Sequence, residues 1–237
     1  MKMVLDTHAH TLVSGHAYNT IREMAHMASE KGLEAIAITE HAPEMPGSCN
    51  PFYFMNLKVV PRKMYGVRLF LGTELNIMDE AGTVDLPDKI LEKLDLVIAS
   101  IHIPCFRGEK TKDAVTSAYL KAMENPYVDI IGHPDDGRYP VDYEAVVKKA
   151  KETRTLLEIN NSSLSPGAMR VNGRENDREI LRLCKKYEVP VTLGSDAHVD
   201  VDLGNFEYAL KVLEECEFPE ELVVNTSVSK LEKMLDI

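Results

Sequence analysis

Short, almost unbroken apolar runs recur along the chain at residues 1–5, 35–39, 67–71, 94–98, 128–131, 155–159 and 189–193. Their spacing, roughly 30 residues, is the length of one strand, one crossover helix and two loops. Runs of this kind carry no polar face, so each predicts a strand covered on both sides. Between them the apolar period lengthens to that of a helix, at 20–31 with Ile21, Met24, Ala25 and Ala28 on one face, at 111–123, at 143–152 behind an Asp142 cap, and at 179–186. The alternation predicts an α/β fold of seven parallel strands joined by crossover helices. Periodicity alone leaves an open doubly wound sheet and a closed barrel as equals.

Two segments lie outside the alternation. Residues 49–64, with Pro51, Phe52, Tyr53, Phe54 and Pro61, read as an irregular covering loop. Together with 163–176 they are where specificity is expected to lie. After Glu217 a short apolar piece at 222–224 precedes a last helix around 228–235. No repeat beyond the strand–helix unit and no low-complexity linker divides the chain, so 1–237 reads as one domain.

Composition narrows the function classes. The sequence is 44% hydrophobic, enough at this length for one sizeable core. It enters its first strand without the charged and apolar segments of a leader, and no apolar run nears the ~20 residues of a membrane span, so it reads as cytoplasmic with no membrane partner. Cys49, Cys105, Cys184 and Cys216 form no CxxC pair, which argues against a disulfide framework or a zinc ribbon. A net charge of −11 disfavours a nucleic-acid polymer, whose binding needs a dense basic surface. A small anion fits better, because divalent cations bound in one pocket would concentrate positive charge inside an acidic shell. The oligomeric state is open, a homo-oligomer included.

The chemistry-bearing residues cluster where strands end. The first run leads into Asp6-Thr7-His8-Ala9-His10, with His16 six residues on; side chains two apart on a strand share a face, so His8 and His10 project together. The later runs end on Thr39-Glu40-His41, Thr73-Glu74, Ile101-His102, Gly132-His133 and Ser195-Asp196-Ala197-His198. In a parallel α/β fold the carboxyl ends of the strands meet at one face. Neutral imidazole is the commonest ligand of divalent transition metals, and a carboxylate can bridge two ions where an imidazole serves one. His26 is the exception among the histidines: it sits mid-helix, off the apolar face, and is expected in solvent. Cys105, three residues after His102, is expected to be an ordinary loop thiol.

In these motifs the chain resembles the PHP (polymerase and histidinol phosphatase) superfamily, which is marked by an N-terminal DxHxH, a TDH after the second strand, a lone Glu, isolated histidines and a terminal GSDxH. The likeness is nearest to the YcdX-type phosphatases, through Ala17-Tyr18, the run Leu157-Glu158-Ile159-Asn160-Asn161-Ser162-Ser163, and Leu193-Gly194-Ser195-Asp196-Ala197-His198. It implies a distorted (βα)7 barrel with its metal site at the C-terminal ends of the strands. It further implies three divalent ions, zinc first and Mn2+ or Fe2+ as alternatives. One would be held by His8, His10, Glu74 and Asp196, a second by His16, His41 and His198, and a third by His102, His133 and the bridging Glu74. This chain departs from the family in having Glu40 where Asp is usual. Asp6 is a candidate to hold His8 or His10 by hydrogen bond, and Glu40 either orients His41 or faces solvent.

Such a centre implies hydrolysis of a small phosphomonoester by attack of a metal-bound hydroxide. No Cys-x5-Arg loop, Gly-rich P-loop or GxSxG elbow is present to support a covalent or nucleotide-cradling route. Arg107, Arg138, Arg170 and Arg174 follow strand ends and are candidates to steer a phosphate. A histidinol-phosphate phosphatase, a PHP-type nuclease and, outside enzymes, a metal-binding regulatory module are the alternatives.

Overall fold

The computed structural model describes residues 1–237. The chain runs β1 (Leu5–Asp6), α1 (Ile21–Glu30), β2 (Ala35–His41), α2 (Pro51–Asn56), β3 (Lys63–Met64), β4 (Val67–Asn76), α3 (Asp88–Leu91), β5 (Leu96–Ser100), α4 (Lys112–Ala122), β6 (Ile130–Ile131), α5 (Tyr143–Thr153), β7 (Leu156–Asn160), α6 (Gly173–Tyr187), β8 (Val191–Gly194), α7 (Glu207–Glu215) and α8 (Val228–Met234). Seven strands pair in parallel in the order β1-β2-β4-β5-β6-β7-β8, and β3 adds an antiparallel edge to β4. The sheet curls into a nearly closed barrel, which decides between the two architectures that periodicity left equal.

Closure between β1 and β8 is indirect, and this is the distortion. Above the strands a parallel bridge joins Ala9 to Ala197, and the Asp196 amide donates to the His8 carbonyl at 2.9 Å. Lower down, Asn225 stands between the two edges. Its Nδ2 donates to the carbonyls of Leu5 at 3.1 Å and Leu193 at 2.8 Å, and its Oδ1 accepts from the Leu193 amide at 2.7 Å. A buried side-chain amide here does part of the work of a missing strand pair, serving backbone groups of both edges.

The hydrophobic core is in two parts. A cluster of 51 buried residues lies between the outer face of the sheet and the helices, so most of the apolar stabilisation is outside the barrel. A second cluster fills the lower barrel: Leu5, Ala35, Ala37, Phe70, Leu96, Ile98, Ile130 and Leu156, closed from beneath by Val224 and Leu231 of the C-terminal segment.

Local chemistry explains where the elements begin. At α1 the Thr20 side chain accepts the Glu23 amide while Glu23 Oε2 accepts the Thr20 amide at 2.7 Å, a reciprocal cap. Residues 49–64 are more regular than expected. Asn50 Oδ1 accepts the Phe52 amide at 2.9 Å and Pro51 occupies the first helical position, which together start α2 within the supposed loop. α6 begins at Gly173, six residues before the predicted 179, because its polar first turns show no apolar period. α7 was not expected at all. No helix is long and apolar enough to cross a membrane.

Candidate metal centre

The pleat that builds the lower plug also aims the site. On β2, Ala35 and Ala37 are followed on the same face by Thr39 and His41; on β4, Phe70 by Gly72, Glu74 and Asn76; on β7, Leu156 by Glu158 and Asn160. The alternation thus carries imidazoles and carboxylates into the upper barrel directly above hydrocarbon. Glu74, Glu158, His8 and His10 are fully buried.

Glu74 is the centre of the group. Its Oε1 lies 3.1 Å from His102 Nε2 and 2.8 Å from His133 Nε2. Its Oε2 lies 2.7 Å from His41 Nδ1, 3.4 Å from His8 Nε2 and 3.6 Å from His10 Nε2. Asp196 Oδ1 approaches the same His8 and His10 nitrogens at 3.7 and 3.4 Å. His16 and His198 complete a stack at the mouth, with ring centroids 4.9 Å between His16 and His41, 4.8 Å between His16 and His198 and 4.5 Å between His10 and His198. All nine predicted ligand positions therefore converge on one region. His26 lies apart on α1, solvent-exposed beside Glu30.

The tautomers can be read from the acceptors. His8 Nδ1 faces Glu158 Oε1 at 2.7 Å, and a carboxylate only accepts, so Nδ1 carries the proton. Ser14 donates its hydroxyl to Glu40 at 2.6 Å, so its oxygen accepts from His10 Nδ1 at 3.2 Å. Asn76 Oδ1 accepts from His102 Nδ1 at 2.7 Å, and the Asp196 carbonyl accepts from His198 Nδ1 at 3.0 Å. With Nδ1 protonated, the Nε2 atoms of His8 and His10 face each other 3.0 Å apart beside carboxylate oxygens, each a lone pair until a second proton or a metal ion is taken up. His41 Nδ1 and Glu74 Oε2, buried and 2.7 Å apart, are not aligned to hydrogen-bond each other and have no other partner. Lone pairs so converged repel unless a cation lies among them, and imidazole nitrogens with carboxylate oxygens are a donor set for a divalent metal.

The electrostatics agree with that donor set. Burial works to raise Glu74, yet His102, His8 and His41 hold it well below the usual carboxylate range. Asp196 is likewise lowered, burial being outweighed by His8, His10 and Arg170. Burial lowers His10 far below an ordinary imidazole, with His41 and His198 adding to the effect, and it lowers His102 as well. His8 goes the other way: burial is overcome by Glu158, Glu74 and Asp196, which raise it strongly. The pocket is thus tuned to gather positive charge.

Three supporting residues were not singled out from the sequence. Glu158 is the most connected of them, since its Oε2 also accepts the His133 amide at 2.8 Å and the Asn160 side chain at 3.1 Å. His133 has φ 29°, and that amide bond anchors the left-handed backbone. Gly194 is required beside it, because a Cβ there would lie 1.9 Å from Glu158 Oε1. Ser14 and Asn76 fix His10 and His102 as described. Asp6 holds backbone rather than an imidazole ring, accepting from the amides of His8, Ser195 and Gly204 at 3.2, 3.1 and 2.8 Å. Glu40 neither orients the His41 ring nor faces solvent: buried, it accepts from Thr11, Ser14 and Tyr53.

Residues 6–164 match the PHP domain. The chain belongs to the PHP domain family. It is 48% identical over 239 residues to a probable phosphatase of Caldanaerobacter subterraneus subsp. tengcongensis, covering 99% of this chain and 92% of that one. It is 50% identical over 235 residues to a probable phosphatase of Thermoanaerobacter sp. (strain X514), covering 99% and 95%. Among solved structures, the histidinol phosphate phosphatase of Lactococcus lactis, complexed with zinc, L-histidinol and phosphate, superposes with a TM-score of 0.65 at 20% identity, covering 92% of this chain and 95% of that one.

Above the imidazoles this PHP domain opens into a cavity of about 320 Å³, whose lining includes Arg138 and Arg170. Arg170 donates from Nη1 to Asn160 Oδ1 and Ser163 Oγ, at 3.2 and 3.0 Å, and from Nη1 and Nη2 to Asp196 Oδ2, both at 3.2 Å. Arg107 and Arg174 are not brought there. Arg107 is exposed against Glu44 at 2.6 Å, and Arg174 pairs with Glu215 on the outer face; neither lines the cavity. Cys105 donates its thiol to the Glu44 carbonyl at 3.3 Å, and burial, with the Asp85 and Glu44 charges, pushes it up to about 12. It is a protonated loop thiol.

Proposed function

We propose that the protein is a metal-dependent phosphomonoesterase with a three-ion centre, zinc being the metal that so many imidazoles favour. The observation that carries this reading is the division of Glu74: its two oxygens face two separate imidazole sets, His102 with His133 and His8 with His10 and His41. A carboxylate so placed is suited to bridging. His8, His10, Glu74 and Asp196 would hold one ion, His16, His41 and His198 a second, and His102, His133 and Glu74 a third.

When bound, such ions make hydroxide available from water near neutral pH and offset the charge of phosphoryl oxygens. The chain's own residues supply orientation. Glu158, Ser14 and Asn76 keep Nδ1 of His8, His10 and His102 protonated and turned outward, leaving Nε2 free toward the pocket. Arg170, fixed by Asp196, Asn160 and Ser163, presents a guanidinium at the cavity wall where a phosphate would rest. The relatives named probable phosphatases support the reaction class, and the zinc and phosphate of the Lactococcus structure support the metal and the leaving product.

The test combines metal analysis with turnover. Purified protein is expected to carry about three zinc equivalents and to hydrolyse a chromogenic phosphomonoester, with a chelator abolishing both and single-stranded DNA left intact. Full metal loading without hydrolysis of any phosphomonoester would replace the enzyme by a regulatory metal-binding module.

A further inference from the structure

The cavity lining is of two kinds: imidazoles with Arg170, and the apolar side chains of Met45, Ile101, Ile103, Pro104, Ala168 and Met169. Ile103 and Met169 are large and apolar, yet 52% and 84% exposed. Each is the chain neighbour of a polar cavity residue, His102 and Arg170 respectively, and they come from separate loops, one after β5 and one between β7 and α6. Two independent segments thus place hydrocarbon at the same mouth.

Among the other polar groups of the lining, Arg138, Asp136 and Ser163 are already engaged. Arg138 donates its Nε to both oxygens of Asp136 at 2.9 Å and its Nη2 to Oδ2 at 2.5 Å. Asp136 Oδ1 also accepts the backbone amides of Arg138 and Val171. Ser163 Oγ accepts from Arg170 at 3.0 Å and donates to Asp135 at 3.2 Å. A leaving group rich in hydroxyls, or one bearing a second charge, would surrender its water here for few partners in return. An apolar group would gain by covering Ile103 and Met169. The volume, about 320 Å³, is also at the small end of ligand sites, which run from about 300 to 1,000 Å³.

We infer that the substrate class is the phosphomonoester of a small, uncharged alcohol with an apolar or aromatic body, its phosphate at the imidazole layer and its carbon skeleton between Ile103 and Met169. This rests on the phosphatase reading above. The chemistry at phosphorus is the same for every such ester, so selection among them falls to these apolar side chains.

The experiment compares kcat/KM of the zinc-loaded full chain for benzyl phosphate, glycerol 3-phosphate and L-histidinol phosphate, all esters of aliphatic alcohols. Benzyl phosphate is expected to lead by at least about tenfold, through KM rather than kcat. In the Ile103→Ser/Met169→Ser double variant, checked for unchanged metal content and melting, that lead shrinks to about threefold or less as KM for benzyl phosphate alone rises. A competition in the native protein gives the same reading without a variant: benzylphosphonate should inhibit about tenfold more tightly than 2-hydroxyethylphosphonate. Equal or better use of glycerol 3-phosphate or L-histidinol phosphate, an undiminished lead in the double variant, or equal inhibition by the two phosphonates overturns the inference while leaving the phosphatase intact. Hydrolysis of none of the three esters overturns both.

Discussion

On β4 the inward side chains run Phe70, Gly72, Glu74 and Asn76, and within that one strand the barrel interior passes from hydrocarbon to carboxylate. The lower half, around Phe70, Leu96, Ile98, Ile130 and Leu156, is apolar and closed by Leu231. The upper half, on the continuation of the same strands, buries Glu74, Glu158, His8, His10 and His133. The side chains named in both halves are buried and obey the same alternation, so position along the strand decides their roles. Hydrocarbon below holds the strands together without help. The ionisable layer above carries the desolvation cost of several charges, which a bound cation offsets.

The largest effect expected from breaking this contrast is at Glu74. Glu74→Gln should disturb two ions at once and lower kcat/KM on the order of 10⁴-fold, ~5 kcal/mol, whereas His102→Ala should remove one ion; equal metal losses in the two variants would rule out bridging. Next is the plug itself. Phe70→Ala should cost about 3–5 kcal/mol of stability, read as a drop in Tm on the order of ten degrees, with the number of metals per folded chain unchanged; loss of metal in the same proportion would mean that the halves are not separable. Smaller again is Glu158→Gln, which keeps an acceptor for His8 but removes its charge. Metal affinity should fall about 10–100-fold with the melting temperature of the metal-free protein little altered, measured by chelator competition and calorimetry.

The smallest expected effect lies at the foot of the barrel. Burial pushes Asp129 up to about 7, although its carboxylate accepts the Val97 amide at 2.8 Å, a bond that acts in the opposite direction. The folded protein therefore keeps a proton that the unfolded chain releases near an ordinary carboxylate pKa of ~4. Stability should fall as pH rises between those two values and level off above the higher one. Asp129→Asn should flatten that slope, raising Tm near neutral pH by on the order of a few degrees; parallel curves for the two proteins would show that Asp129 contributes nothing to it.

How much of this was legible depended on whether a residue declared itself by type. Buried parallel strands are apolar on both faces, so all seven were visible as runs, and His41, His102, His133 and His198 stood out at or just beyond their ends. Their supports did not. Glu158 lies inside an apolar strand and looks like any strand carboxylate until the fold turns it toward His8 and His133. Ser14 and Asn76 are common residues whose meaning is only their hydrogen-bond partner. Arg107 and Arg170 were alike in sequence, each following a strand end; only the structure shows one spent on Glu44 in solvent and the other held at the cavity wall. Local capping at Asn50 and the polar opening of α6 misled the element boundaries, because neither alters the apolar period.

The Asn225 seam has a consequence for the order of assembly. Its bond to the Leu5 carbonyl spans 220 positions, so the contact that joins the barrel's edges is among the last a growing chain can make, and so long a loop is slow to close. His8 and Asp196 meet just above that seam. The His8–Asp196 side of the cage is therefore complete only once segments from the two extremes of the barrel have been brought together by folding.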